Sequence, residues 1–283
     1  MAPTQFEIRH VTGYRYARDV TASYNEVRLS PARAGRQLVL DHRIEVQPTA
    51  RLARFSDYWG SVVHSFDLHR AHRELTVVAM SHVETAAGAD AGADPTLSWA
   101  DLTTDDVQDQ WCEFLMATDY TESSDSLAAL SAEVRAAPRP TAAVGATVEL
   151  VRDLLAYQRG ATHVGTTATE ALSARAGVCQ DFAHVALAVL RGAGVPARYA
   201  SGYLVPRADL EIGETVEGES HAWIEAWVGD WLAVDPTNGL PIGADHVLVA
   251  RGRDYGDVPP LRGLYHGGRA EALEVQVTIT RRA

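Results

Sequence analysis

Lysine is missing from this 283-residue chain: all 25 basic residues are arginine, set against 37 acidic ones. The net charge of -12 excludes a surface built mainly for nucleic acid or anionic membrane, since both need basic patches. A local cluster of arginines between residues 28 and 54 is the one exception to the acidic balance. Biased genome composition is the simplest account of the missing lysine. Cysteine is scarce too. Cys112 and Cys179 are the only two, which allows one bridge at most and excludes a disulfide framework. No run of about 18 apolar residues is present to span a bilayer. The opening MAPTQFEIRH lacks the basic stretch and apolar run of a signal peptide. A cytoplasmic protein with reduced thiols and no membrane partner is therefore expected.

What remains has globular composition, 46% hydrophobic and 22% charged, in a length that suits one large domain or two ordinary ones. Residues 1–85 read as an antiparallel β-domain. Gln5–Arg9, Leu38–Val46 and Val62–Leu68 alternate apolar and polar residues, Leu75–Ala79 adds a short strand, and Asp57–Gly60 fits a hairpin turn between two of them. Residues 86–98 are rich in Gly, Ala and Asp and read as a linker. From 99 to 283 the period changes to a helical one. Helices are expected over Asp105–Met116, Ser126–Val134 and Ala142–Tyr157, and Thr167-Ala168-Thr169-Glu170 fits a capping box opening another. The tail Glu274–Thr280 reads as a last strand that can pair with either part.

The chemistry concentrates at Gly177-Val178-Cys179-Gln180-Asp181-Phe182-Ala183-His184. Phe182, Ala183, Ala186, Leu187 and Leu190 repeat at helical spacing, and Gly192, Gly194 and Pro196 end the run. Cys179 thus stands at a helix N-terminus, where free backbone N–H groups and the positive dipole end favour a thiolate. The same N–H groups can hold an oxyanion. His184, five residues on, points to a different side of the helix and is a poor partner for the thiol. Cys112 has none of these features and reads as structural.

Downstream, Ser220–Trp227 and Trp231–Asn238 flank Val228-Gly229-Asp230. A three-residue loop puts Trp227 opposite Trp231 and Trp223 opposite Asp235. His221 is then diagonal to Asp235 on the same face, about 7–8 Å away between Cα atoms, within reach of a His–carboxylate hydrogen bond. A loop of two residues would send the pair to opposite faces. Nucleophile, base and orienting acid therefore occur in the order Cys179, His221, Asp235, the arrangement of a thiol triad.

These segments, GVCQDFAHVALAVLRGAGVPARYASGYL with SHAWIEAWV and AVDPTN, resemble the bacterial transglutaminase-like cysteine peptidase family over nearly the whole chain. The β-rich start and GRDYGDVPPLRG match its outer segments. The resemblance implies an α+β fold: a papain-like core, with a thiol-bearing helix packed on an antiparallel sheet, preceded by an N-terminal antiparallel β-domain. It also implies that Cys179 is the nucleophile, His221 the base and Asp235 its orienter. The expected function is a cofactor-free amide hydrolase cleaving a peptide, isopeptide or γ-glutamyl-type bond through a thioester. Transamidation to an amine is the alternative within that chemistry, and a silent peptide-binding scaffold the alternative outside it. An intact triad argues against the scaffold. The resemblance further implies an ATP-grasp-type ligase as functional companion.

Other signals are weaker. His64, His69 and His72 lack the spacing of a metal site, and no Asp-x-Asp-x-Asp-Gly calcium loop or phosphate-binding glycine loop occurs. Of Trp223, Trp227 and Trp231, at least two are expected to pack in the core.

Overall fold

The computed structural model describes residues 3–86, 96–206 and 209–283; most of the segment read as a linker lies outside them. The N-terminal part contributes β1 (Thr4–Val27), β2 (Gln37–Gln47), β3 (Ala53–Ser56), β4 (Val62–Leu68) and β5 (His72–Thr85). Helices α1 (Asp105–Trp111), α2 (Asp125–Arg135) and α3 (Pro140–Leu154) follow, then the short strand β6 (Ala156–Tyr157), α4 (Ala168–Ala174), β7 (Ala176–Gly177) and α5 (Cys179–Gly192). The remainder is β8 (Ala197–Leu204), β9 (Thr215–Trp227), β10 (Trp231–Asp235), β11 (Leu240–Pro241), β12 (His246–Gly252), β13 (Leu261–Gly267) and β14 (Ala270–Arg281).

All these strands except the parallel pair β6–β7 belong to one antiparallel sheet. Its C-terminal half has β9 between β8 and β10, with β12 beyond β8. Its N-terminal half is organised by β1, which pairs with β5 along most of its length and then with β4. The tail joins the two halves. β14 pairs with β1 over Phe6–Tyr16 and with β9 over Thr215–Gly218.

Helix α5 runs through the main core. Every residue from Asp181 to Arg191 is buried, so the helix is enclosed on all sides rather than amphipathic. The helix packs against α2, α3, α4, β8 and β9, with Leu187 and Leu190 fully buried in the shared core. Arg191 closes the helix's far end by donating to the Ala197 carbonyl at 3.0 Å and to the Thr121 hydroxyl at 3.1 Å. A separate cluster, including Tyr16, Val27, Phe66 and Val77, fills the N-terminal sheet.

Several elements differ from the sequence expectation. The helix expected to Met116 stops at Trp111 and tightens to a 3-10 turn over Cys112–Phe114. Cys112 is exposed there, not a packed structural residue. The Asp57–Gly60 turn is present, but it joins β4 to β3, an exposed four-residue strand without alternation to reveal it. The tryptophans follow the expectation that at least two pack in the core: Trp223 is fully buried and Trp227, half-buried, packs against the main core, while Trp231 is half-buried.

Candidate active site

The thiol is placed by local helix-start chemistry. Asp181, the third residue of α5, accepts the Val178 N–H at 2.7 Å and the Thr162 hydroxyl at 2.7 Å. Its carboxylate thereby satisfies one of the backbone donors a helix start leaves free. Gly177 is required by this fold-back: a Cβ there would lie 2.6 Å from the Asp181 side chain. Burial pushes the Asp181 carboxyl up, although the hydrogen bonds partly offset it. Cys179 is left half-buried at the first turn. His184 is turned away into the core, where its Nε2 accepts the Tyr255 N–H at 3.2 Å and burial lowers its pKa to about 3.

His221 and Asp235 are placed by the β9–β10 hairpin. Trp227 faces Trp231 and Ile224 faces Val234, the register that the three-residue loop requires. His221 Nε2 and Asp235 Oδ2 are 2.7 Å apart. The His221 imidazole and the Cys179 side chain line the same cavity. On the neighbouring strand β8, Gly202 stands opposite His221. A side chain there would collide with the Val247 carbonyl at 2.0 Å and the Trp223 ring at 2.6 Å, so glycine lets β8, β9 and β12 close up behind the imidazole.

Asp235 is completely buried, and its charge is held by a full set of donors. Oδ1 accepts the Thr237 and Asn238 N–H groups at 2.9 and 3.1 Å, and Oδ2 accepts the Asn238 side-chain amide at 2.7 Å as well as His221. His246 Nε2 lies 3.5 Å from Oδ2 on another side. Burial alone would raise the Asp235 pKa, but the hydrogen bond and charge of His221, the nearby His246 ring and the Asn238 amide drive it well below the ordinary carboxylate range. For His221 burial acts downward, and the hydrogen bonds and negative charges of Asp235 and Cys179 overcome it, raising the imidazole to about 9. An imidazolium beside the Asp235 carboxylate is the favoured protonation state of His221.

Donor atoms of His221, Asp235 and His246 lie within 4.8 Å of one another, the one such three-residue cluster among the described residues. His246 Nδ1 accepts the Gly243 N–H at 3.3 Å, which places its ring proton on Nε2, towards Asp235. The cluster is thus a carboxylate surrounded by donors, an arrangement suited to holding His221 rather than to a metal. His64 and His72 are occupied separately, by the Ser30 hydroxyl at 3.5 Å and the Arg70 carbonyl at 2.9 Å.

Cys179 and His221 open into a cavity of about 280 Å3. Tyr199 and Ser201 line it from β8, His10, Thr12 and Tyr14 from β1, and Leu273 and Val275 from β14. The N-terminal half of the sheet therefore forms one wall of the site.

Sequence comparison places this geometry in a family. The profile of the bacterial transglutaminase-like N-terminal region matches residues 6–84, and that of the transglutaminase-like superfamily matches residues 128–236. An uncharacterized protein of Mycobacterium leprae is 44% identical over 282 residues, 99% of each chain. The chain belongs to the transglutaminase-like superfamily. An uncharacterized protein of Mycobacterium tuberculosis is 32% identical and covers 97% of this transglutaminase-like chain and 92% of its own length. A protein-glutamine gamma-glutamyltransferase of Pseudomonas aeruginosa is 34% identical over 101 residues, 31% of this chain and 15% of that one. The fold is shared with a crystal structure of a candidate cysteine protease from Cytophaga hutchinsonii, at a TM-score of 0.76 and 22% identity, over 98% of this chain and 91% of that one.

Three residues that position the site escaped sequence reading. Asp181 had a usable signal, an acid at the third position of a helix. Asn238 adjoins the Asp-Pro turn, where Asx-type bonding is common. His246 had none, because only the return of β12 beside β8 brings it to Asp235.

Proposed function

We propose that this chain is a cysteine-dependent amide hydrolase, cleaving a peptide, isopeptide or γ-glutamyl-type bond through a thioester on Cys179. The observation that carries the reading is the buried 2.7 Å His221–Asp235 hydrogen bond behind an imidazole that lines one cavity with the helix-start thiol of Cys179. His221 takes the thiol proton, and the sulfur bonds to the substrate's carbonyl carbon. The Asp181 N–H is taken by the Val178 carbonyl, so the backbone N–H groups of Cys179 and Gln180 at the start of α5 are the donors for the developing oxyanion. As the carbon–nitrogen bond breaks, the imidazolium passes its proton to the departing amine. Water then attacks the thioester with His221 as base, and the carbon–sulfur bond breaks to free the acid and the thiol. Asp235 keeps the ring oriented and stabilises its cation.

A second acceptor is favoured by one observation, the 34% identity over 101 residues to a protein-glutamine gamma-glutamyltransferase. In that reading a primary amine replaces water. The half-exposed thiol supports hydrolysis, since water reaches an acyl group held there. The discriminating experiment supplies a glutamine-containing peptide with excess primary amine and follows ammonia, free acid and amide adduct. Free acid as the major product is expected; a predominant adduct would replace hydrolysis with transamidation. No thioester on Cys179 with any of a broad peptide set, in a protein that remains folded, would favour the scaffold.

A further inference from the structure

The wall of the cavity opposite His221 points to the kind of substrate it takes. β9 and β14 pair only over Thr215–Gly218 against Val277–Thr280. Beyond Gly218, β9 turns to β8, starting with Glu219 opposite Leu204, while β14 before Val277 stays with β1. The two strands separate at the point where His221 follows on one of them and Val275 precedes on the other. Among the described residues no strand pairs with the second edge of β14 over 270–276. Exposed edges are usually protected, because their free N–H and C=O groups accept another strand. Here the edge carries exposed Glu271 and Glu274, but the side chains it presents to the cavity that holds Cys179 are apolar: Leu273 and Val275, 58% and 52% exposed.

The lining is also uncharged apart from the catalytic unit itself. No Asp, Glu, Arg or Lys contributes to it. His10 is held between the Tyr203 and Thr12 hydroxyls at 3.0 and 3.2 Å, and burial lowers it to about 4, so it is neutral at ordinary pH. A γ-glutamyl group with a free α-carboxylate and α-amine would meet no counter-charge there, and removing such groups from water without partners is costly. An extended chain segment with apolar side chains meets both features, the free backbone edge and the apolar wall.

We propose that the substrate is an internal peptide segment with apolar side chains, bound as an added strand along Ala270–Gln276, with its reacting carbonyl carried into the gap between β9 and β14. Leu273 and Val275 are specificity-determining residues in this arrangement. The inference rests on the cysteine chemistry proposed above and narrows its substrate, retaining internal amides and excluding free γ-glutamyl compounds.

The test uses the full chain and electrophilic probes that need no known substrate. Blocked dileucyl and diaspartyl fluoromethyl ketones, and a dileucyl probe with its internal amide N-methylated, are compared for the rate of Cys179 labelling. Each rate is divided by that of iodoacetamide on the same protein. The dileucyl probe is expected to react roughly tenfold or more faster than the diaspartyl one, and N-methylation to remove most of that advantage. Leu273→Arg should reverse the preference towards the acidic probe, and Leu273→Glu should weaken the dileucyl probe without aiding the acidic one; the position is exposed, so folding is not at risk. Equal rates for all three probes, or no response to either substitution, would overturn the strand-addition proposal while leaving the thiol chemistry intact. Failure of iodoacetamide to prefer Cys179 would instead strike at the catalytic reading beneath it.

Discussion

The two sides of the catalytic cavity are built on opposite principles. Around Asp235 the hydrogen-bonding capacity is used up: both oxygens are engaged, the side chain is fully buried, and the neighbouring strands meet across glycine. Along β14 over residues 270–276 the capacity is left open, with a second edge that no described strand pairs with and apolar side chains in solvent. The closed side fixes an imidazole before any substrate arrives, which is what preorganised charge stabilisation requires. The open side is completed by whatever binds. Substitutions should therefore affect rate on the first side and selectivity on the second.

The largest effect is expected at the thiol. Cys179→Ala and His221→Ala should each lower turnover by roughly 10^4-fold or more, and the double variant should be little worse, because residues acting as a unit are not additive. Circular dichroism should show an unchanged fold. Asp235→Asn should cost roughly 10^2- to 10^4-fold, leaving measurable activity.

That variant also sharpens the electrostatic side of the comparison. In the proposed mechanism protonated His221 is the acid for the departing amine, so kcat/KM should fall as pH rises through about 9. Removing the Asp235 charge leaves burial with less opposition and should move this limb down by about one unit or more. Stability follows the same signs. His221 is raised in the folded state, so its contribution is present below its ordinary 6.5 and lost as pH rises through about 9. Asp235 is depressed below its ordinary 3.8 and contributes above that value, losing its effect on acidification. The difference in unfolding free energy between wild type and Asp235→Asn, measured by denaturant titration, should therefore shrink above pH 9.

A smaller loss, roughly ten- to a hundredfold in kcat, is expected for Asn238→Ala, which removes one of several bonds to a buried charge. At the other extreme lies the Arg73–Asp19 pair near β13, 2.6 Å apart with both side chains more than half exposed. Asp19→Asn should leave Tm and activity unchanged, as exposed ion pairs are screened by solvent. A clear change in either would show that the open side is more tightly coupled to the site than its structure implies.

Much of the closed side was legible in sequence because its signals are local. The Thr167 capping box opens α4 as read, with the Glu170 and Thr167 side chains each bonding the other's backbone N–H. The Val228–Asp230 loop set the parity that brings His221 and Asp235 to one face. The open side was less legible, since long-range pairing determines it. Alternation along Gln5–Arg9 gave no sign that β1 runs unbroken to Val27 while changing partners on both edges. The tail's strand character was apparent, but its position between β1 and β9, and hence the gap beside His221, depends on contacts more than 60 residues apart along the chain between Thr215 and Thr280.

The most direct test compares the two cysteines under limiting iodoacetamide at neutral pH, with each site quantified by mass spectrometry. Exposure alone favours Cys112, which is open to solvent, over the half-buried Cys179. Pairing with His221 at a helix start favours Cys179. Labelling of Cys179 at least roughly tenfold faster than Cys112, with the advantage lost in His221→Ala, is the predicted result. Faster labelling of Cys112, or a Cys179 rate unaffected by His221→Ala, would contradict the account.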